Sequence, residues 1–220
     1  MEENSSVISP LAAILAVVAT FFLSLFLGAA FFILFGYSFV LISGEILLIV
    51  VPLGYMLCRR VNVRSYIRLE VKPRNVLWGL VFGAFLFLFD LVVVAALTSV
   101  FGVSEVVEET NELFLNMSGS LQGLLSLIVA LSLAGVCEEF TFRGFLQNAI
   151  NSRYSPKVAL LVSSIVFAFF HFDPQAVYTL SAFLMGLVLG YIYYRWRSYV
   201  VSAVAHATLN LIVLTIILLM

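Results

Sequence analysis

The chain has 220 residues and a net charge of −1; 63% of it is apolar and only 10% charged, against about 25% charged in an ordinary soluble domain. That balance describes an integral membrane protein. It excludes a nucleic-acid partner, which needs a clustered basic face of much larger excess.

A spanning helix requires about 20 mostly apolar residues. The first expected span runs from about Ile8 to Phe35, behind the acidic opening MEENSSVISP; it is too long, and wrongly flanked, for a cleavable signal peptide. Six more follow at about Phe39 to Leu57, Val76 to Phe101, Leu121 to Leu146, Pro156 to Phe172, Gln175 to Tyr194 and Val200 to Met220. No repeat, low-complexity tract or long linker divides the chain. The expected fold is therefore all-α, one polytopic bundle of about seven helices over residues 1–220. Cys58 and Cys137 lie in or beside apolar segments without CxxC spacing and read as free packing thiols.

Cytoplasmic loops carry the Lys and Arg excess. Arg59, Arg60, Arg64, Arg68, Lys72 and Arg74 follow the second span, Arg153 and Lys157 the fourth, and Arg195 and Arg197 the sixth. The intervening loops hold no basic residue, and the one after the third span carries Glu105, Glu108, Glu109 and Glu112. The N-terminus is accordingly expected in the cytoplasm of a cell-membrane protein, and the C-terminus outside. The basic loops read as solvated topology determinants without chemistry.

Arg143, in GVCEEFTFRG, is the one basic residue inside a span. A charge at mid-bilayer costs at least about 2.5 kcal/mol on insertion scales and is a functional-site hypothesis by default. Glu139 lies four residues earlier, in the favourable acid-first order for a helical ion pair. Glu138 points about 100° away and lacks that partner, as a base or a ligand must. Glu45 and Asp90 are also acidic and intramembrane, with no His, Arg or second acid at helical spacing; a satisfied structural role is the ordinary one for such groups. Gly79 with Gly83, and Gly186 with Gly190, make GxxxG pairs whose ordinary meaning is close helix packing.

Both histidines of the chain fall in spans. His171 closes FAFFHFDP, and His206 in SAVAHATLN has Asn210 one turn on along the same face. Singly, each is the pattern of a hydrogen-bonded core histidine; with an unpaired glutamate they make an acid-base set. Counted at 1.5 Å per residue, Glu138 lies about 12 Å from the cytoplasmic edge near Leu146, level with His206. The fifth span, with Ser155 as cap and Pro156 in its first turn, reaches only about 25 Å, less than the hydrocarbon thickness. His171, Asp173 and Pro174 are thus expected below the outer surface, lining protein or water.

Three patterns stand in order: EEFTFR (Glu138, Glu139, Arg143) fits EExxxR, FAFFH (Phe167, His171) fits FxxxH, and HATLN (His206, Asn210) fits HxxxN. Over about residues 121–215 this resembles the family of CAAX proteases and bacteriocin-processing enzymes, also called the CPBP or Abi family, with its type II CAAX prenyl endopeptidases. The resemblance implies a catalytic core there and an intramembrane endopeptidase cutting a membrane-bound or lipidated peptide near the cytoplasmic face. By the family pattern, Glu138 activates water with help from His171, His206 and Asn210 steady the oxyanion, and Glu139, Arg143 and Phe167 support them. No cofactor is expected, because CAAX-processing relatives are metal-free glutamate proteases; the alternative is zinc held by Glu138, His171 and His206, though without the short HExxH spacing. Two further alternatives stay open. A proton-coupled transporter also places Glu and His at mid-depth, but usually in paired repeats with broken helices. A non-catalytic scaffold or immunity protein would use the same residues only to hold helices together.

Overall fold

Serines and prolines set where the helices begin. Ser9, Ser104, Ser120 and Ser155 each accept a backbone N–H from the first turn they precede, and Pro10, Pro73 and Pro156 open their helices, where a missing N–H costs nothing. Gly36 and Gly102, at φ 77° and 86°, end the first and third long helices in a conformation that side chains disfavour.

The computed structural model describes residues 8–219, and every regular element among them is helical: α1 (Pro10–Phe35), α2 (Tyr37–Cys58), α3 (Val63–Tyr66), α4 (Pro73–Phe101), α5 (Glu105–Ser118), α6 (Leu121–Glu139), a π-helical segment (Phe140–Gln147), α7 (Asn148–Asn151), α8 (Pro156–Phe169), α9 (Val177–Trp196) and α10 (Tyr199–Leu219). Six helices are long and apolar enough to cross a membrane: α1, α2, α4, the continuous Leu121–Asn151 rod, α9 and α10. The protein is a multi-pass helical membrane protein. Residues 1–7 of the acidic opening and Met220 lie outside the described residues.

Four expectations need correction. The fifth span is shorter than expected, because α8 ends at Phe169 after 14 residues, about 21 Å at 1.5 Å per residue. The fourth does not stop at Leu146 but runs as one rod to Asn151; Glu138 is therefore about 20 Å from its basic-loop end and about 25 Å from Leu121, deeper than 12 Å. The acidic loop is not loop but the 14-residue helix α5, whose polar Glu positions hid an apolar stripe. Cys58 is exposed at the end of α2 rather than packed, while Cys137 is buried, and both are free.

The glycine pairs act as expected. A Cβ on Gly79 or Gly83 would meet Val204 or Thr208 of α10, and one on Gly186 or Gly190 would meet Ser164 or Leu160 of α8. Gly135, outside either pair, matters more for the site. Its Cβ would run into the backbone of Ala207, so its bareness lets α6 and α10 touch one turn from Glu138 and His206.

The basic-loop end is sealed. Asn148 Nδ2 donates to Tyr66 O at 2.9 Å, Tyr193 Oη to Ile67 O at 3.2 Å and Tyr199 N to Arg68 O at 3.3 Å. Ile67, only 2% exposed, plugs the centre of this knot.

Candidate active site

The charged motif sits where α6 gives way to the π segment, all eight residues of which are buried. Extra residues per turn let its polar side chains reach three neighbours: Thr141 Oγ1 donates to Leu48 O of α2 at 2.9 Å, Arg143 Nη2 to Gly186 O of α9 at 3.2 Å, and Gln147 Nε2 to Gly190 O at 3.0 Å while its Oε1 accepts from Ser163 of α8 at 3.1 Å. Such π segments concentrate at functional sites. Nothing in FTFRGFLQ announces one, since its residues suit an α-helix as well.

Glu139 and Arg143 form the expected ion pair at 3.1 Å, and both residues are fully buried. The pair does more than balance charge. Glu139 Oε1 also lies 3.2 Å from Nδ1 of His206, and the Arg143 guanidinium stands 4.3 Å over the Phe167 ring. One carboxylate thus fixes a histidine on α10 and an arginine in its own rod.

Glu138 faces the other way, as expected from its 100° offset. Its Oε1 lies 3.9 Å from Nε2 of His171 and its Oε2 3.7 Å from Nε2 of His206. Both separations exceed a hydrogen bond, and Oε2 is buried without a hydrogen-bond partner. His171 Nδ1 is 2.9 Å from the Phe167 carbonyl; a carbonyl only accepts, so Nδ1 carries a proton, and Nε2 faces Glu138. The Phe167 ring packs 4.4 Å from that imidazole. His171 follows the end of α8 in a loop stapled by Asp173, 2% exposed, which accepts N–H groups of Gln175 and Tyr178. The short fifth helix therefore delivers its histidine to mid-depth.

Asn210 lines the same cavity as Glu138, His171 and His206. Its Nδ2 donates to Leu131 O at 3.3 Å, which leaves the second amide proton for another acceptor. The cavity, about 390 Å³, extends from these residues past Leu131, Val94, Val107 and Phe114 toward α5, away from the sealed basic end.

Two residues expected to be structural also stand on its wall. Asp90 accepts from Ser181 Oγ of α9 at 2.7 Å, the inter-helix bond that a buried acid was expected to make. Glu45 Oε2 is buried without a partner. Sequence spacing could not join them to Glu138, because the three carboxylates come from α2, α4 and α6 and meet only in space. Glu138, His171 and His206 are donors of a kind that zinc takes, yet among the described residues no three His, Cys, Asp or Glu side chains gather as a metal-holding group.

Comparison with known proteins supports the resemblance drawn from the motifs. Residues 120–212 match the family model described as type II CAAX prenyl endopeptidase Rce1-like. The chain is also 31% identical over 88 residues to the UPF0177 protein YxdF of Lactococcus lactis subsp. lactis (strain IL1403), a match covering 40% of this chain and 45% of that protein. The chain thus spans about half the length of this relative. No solved structure matches.

Proposed function

Starting from the match of residues 120–212 to type II CAAX prenyl endopeptidases, we propose that the protein is an intramembrane endopeptidase in which Glu138 activates water to cut a membrane-associated peptide. The observation that carries this is the convergence, in one cavity, of an unpartnered carboxylate from α6 and two imidazoles, one from the loop after α8 and one from α10.

The spacing suits a water held between Glu138 and His171, since a polar gap of 3.9 Å is one that a bridging water can span. Glu138 takes one proton as the water oxygen attacks the scissile carbonyl, with His171 Nε2 accepting from the other O–H. The protonated Glu138 then gives its proton to the leaving amine as the carbon–nitrogen bond breaks, which returns the carboxylate. His206 and Asn210 flank the developing oxyanion. His206 is oriented by Glu139, and its Nε2–H is available when the ring holds both protons. Preplaced donors of this kind are worth about 3 kcal/mol each. Arg143 keeps Glu139 from competing as a base, and Phe167 holds both His171 and Arg143. In this mechanism the protein's own side chains supply the chemistry without a metal.

The substrate class is a membrane-bound or lipidated peptide, a prenylated CAAX peptide included; the apolar upper wall of Val94, Val107, Phe114 and Val213 suits apolar side chains or a lipid chain. Mass spectrometry of purified protein incubated with a prenylated CAAX peptide and with a peptide library tests this. Cleavage at a defined bond is expected. Recovery of every peptide intact would overturn the proposal in favour of a non-catalytic scaffold.

A further inference from the structure

The cavity holds more carboxyl groups than the proposed chemistry uses. Glu45, Asp90 and Glu138 enter its wall from three helices, and no Lys or Arg is among the described residues lining it. The guanidinium nearby is already engaged, since Arg143 pairs with Glu139. Among the described residues neither Glu45 nor Asp90 has an ion-pair partner. Asp90 has only the Ser181 hydroxyl, and Glu45 Oε2 is shut off from solvent with no donor at all. A buried carboxyl oxygen without a donor is costly, and the half-buried Glu45 and Asp90, set beside Glu138 on one cavity wall, are placed to receive a donor that arrives from outside.

The route into the cavity carries the same sign. The basic-loop end is sealed by the knot around Ile67, and the cavity extends toward α5. That helix turns Val106, Val107, Asn111 and Phe114 to the cavity, while Glu105, Glu108, Glu109 and Glu112 lie outside its lining. Neither segment, 102–120 or 170–176, contains a Lys or Arg. Every charged side chain of α5, the helix beside the cavity, is thus acidic, which favours the approach of a cation.

We propose that Glu45 and Asp90 form a specificity subsite for a cationic side chain of the peptide, a lysine or arginine close to the bond that Glu138 addresses. The inference rests on the proposed function of the same cavity. The ammonium or guanidinium lies between the α2 and α4 carboxylates, with Ser181 keeping Asp90 turned inward, and the cation's position sets which peptide bond reaches Glu138. Glu45 and Asp90 are positioning residues, acting through the side chain they hold.

The test is a binding measurement that needs no cleavage. Two short fluorescent peptides of equal length and apolar content, one with a central lysine and one with norleucine in its place, are titrated by anisotropy against the full-length protein in neutral detergent. The lysine peptide should bind about tenfold tighter, as a desolvated charge pair allows. Glu45→Gln with Asp90→Asn, which keeps shape and the acceptor for Ser181, should reduce that preference below about twofold. Glu45→Gln alone should give an intermediate value, so the result does not depend on the double variant folding. Equal affinities in the wild type, or an unchanged preference in the variants, would overturn the subsite. A short-chain ethanolamine lipid displacing the lysine peptide in preference to a choline lipid would reassign the subsite to a headgroup amine and overturn the peptide assignment. Failure of the protease proposal looks different: the lysine preference persists, and neither peptide is cut.

Discussion

Arg143 has no solvent and one carboxylate partner, and that partner also steadies His206. Glu139→Gln therefore strands a buried guanidinium and loosens a histidine together. Breaking a buried pair costs about 3–5 kcal/mol, so this variant should unfold at markedly lower temperature in a detergent thermal-shift assay; silence in both stability and activity would show that the pair does no work. Glu138→Gln should behave oppositely. It keeps the side-chain shape and removes a base, so turnover should fall about 10²- to 10⁴-fold with the melting temperature unchanged, and a normal rate would remove Glu138 from the chemistry. The division of labour between these adjacent acids was legible in the sequence, because a helix puts residues i and i+4 on one face and turns i+1 away. The roles of Glu45 and Asp90 were not. Their neighbours are far apart in the chain, and spacing along one helix cannot report contacts across three.

The α6–α10 contact and the π segment hold the site together, and neither has a sequence signature. The α6–α10 contact depends on Gly135 facing the Ala207 backbone. Gly135→Ala should cost about 1–3 kcal/mol as overpacking. It should also reduce turnover, because α10 carries His206 away from Glu138; full activity with full stability would show that the crossing tolerates a methyl group. Gly135 belongs to no GxxxG pair, whereas Gly79 with Gly83 and Gly186 with Gly190 were marked by their spacing and pack as that spacing implies. The π segment and α5 went unread for different reasons. A π turn is set by what its side chains reach in other helices, here Leu48, Gly186 and Gly190. In α5 the four glutamates dominate a short sequence whose apolar positions fall at helical spacing only between them.

At the scale of the whole protein, the distribution of Lys and Arg predicts an orientation for the bundle, and in that orientation the cavity, which extends toward α5, points away from the cytoplasmic face near which the family resemblance implied cleavage. With the basic loops in the cytoplasm, a cysteine introduced near Arg64 should be labelled from the cytoplasmic side and one near Glu108 should not; the opposite pattern would invert the protein. The order of the apolar helices could be read from apolar runs alone, since lipid demands long unbroken stretches whatever the packing, although six of the seven expected spans are long enough to cross and α8 is shorter. Their ends could not, because α8 stops and the Leu121–Asn151 rod continues in response to neighbours that no run of letters displays. The central claim, that side chains and not a metal activate the water, is tested most directly by turnover of the purified protein after exhaustive chelation, with bound zinc measured on the same sample. Activity should survive, and zinc should be well below one per chain. One tightly bound zinc per chain, whose removal stops cleavage and whose return restores it, would contradict the account and make Glu138, His171 and His206 its ligands.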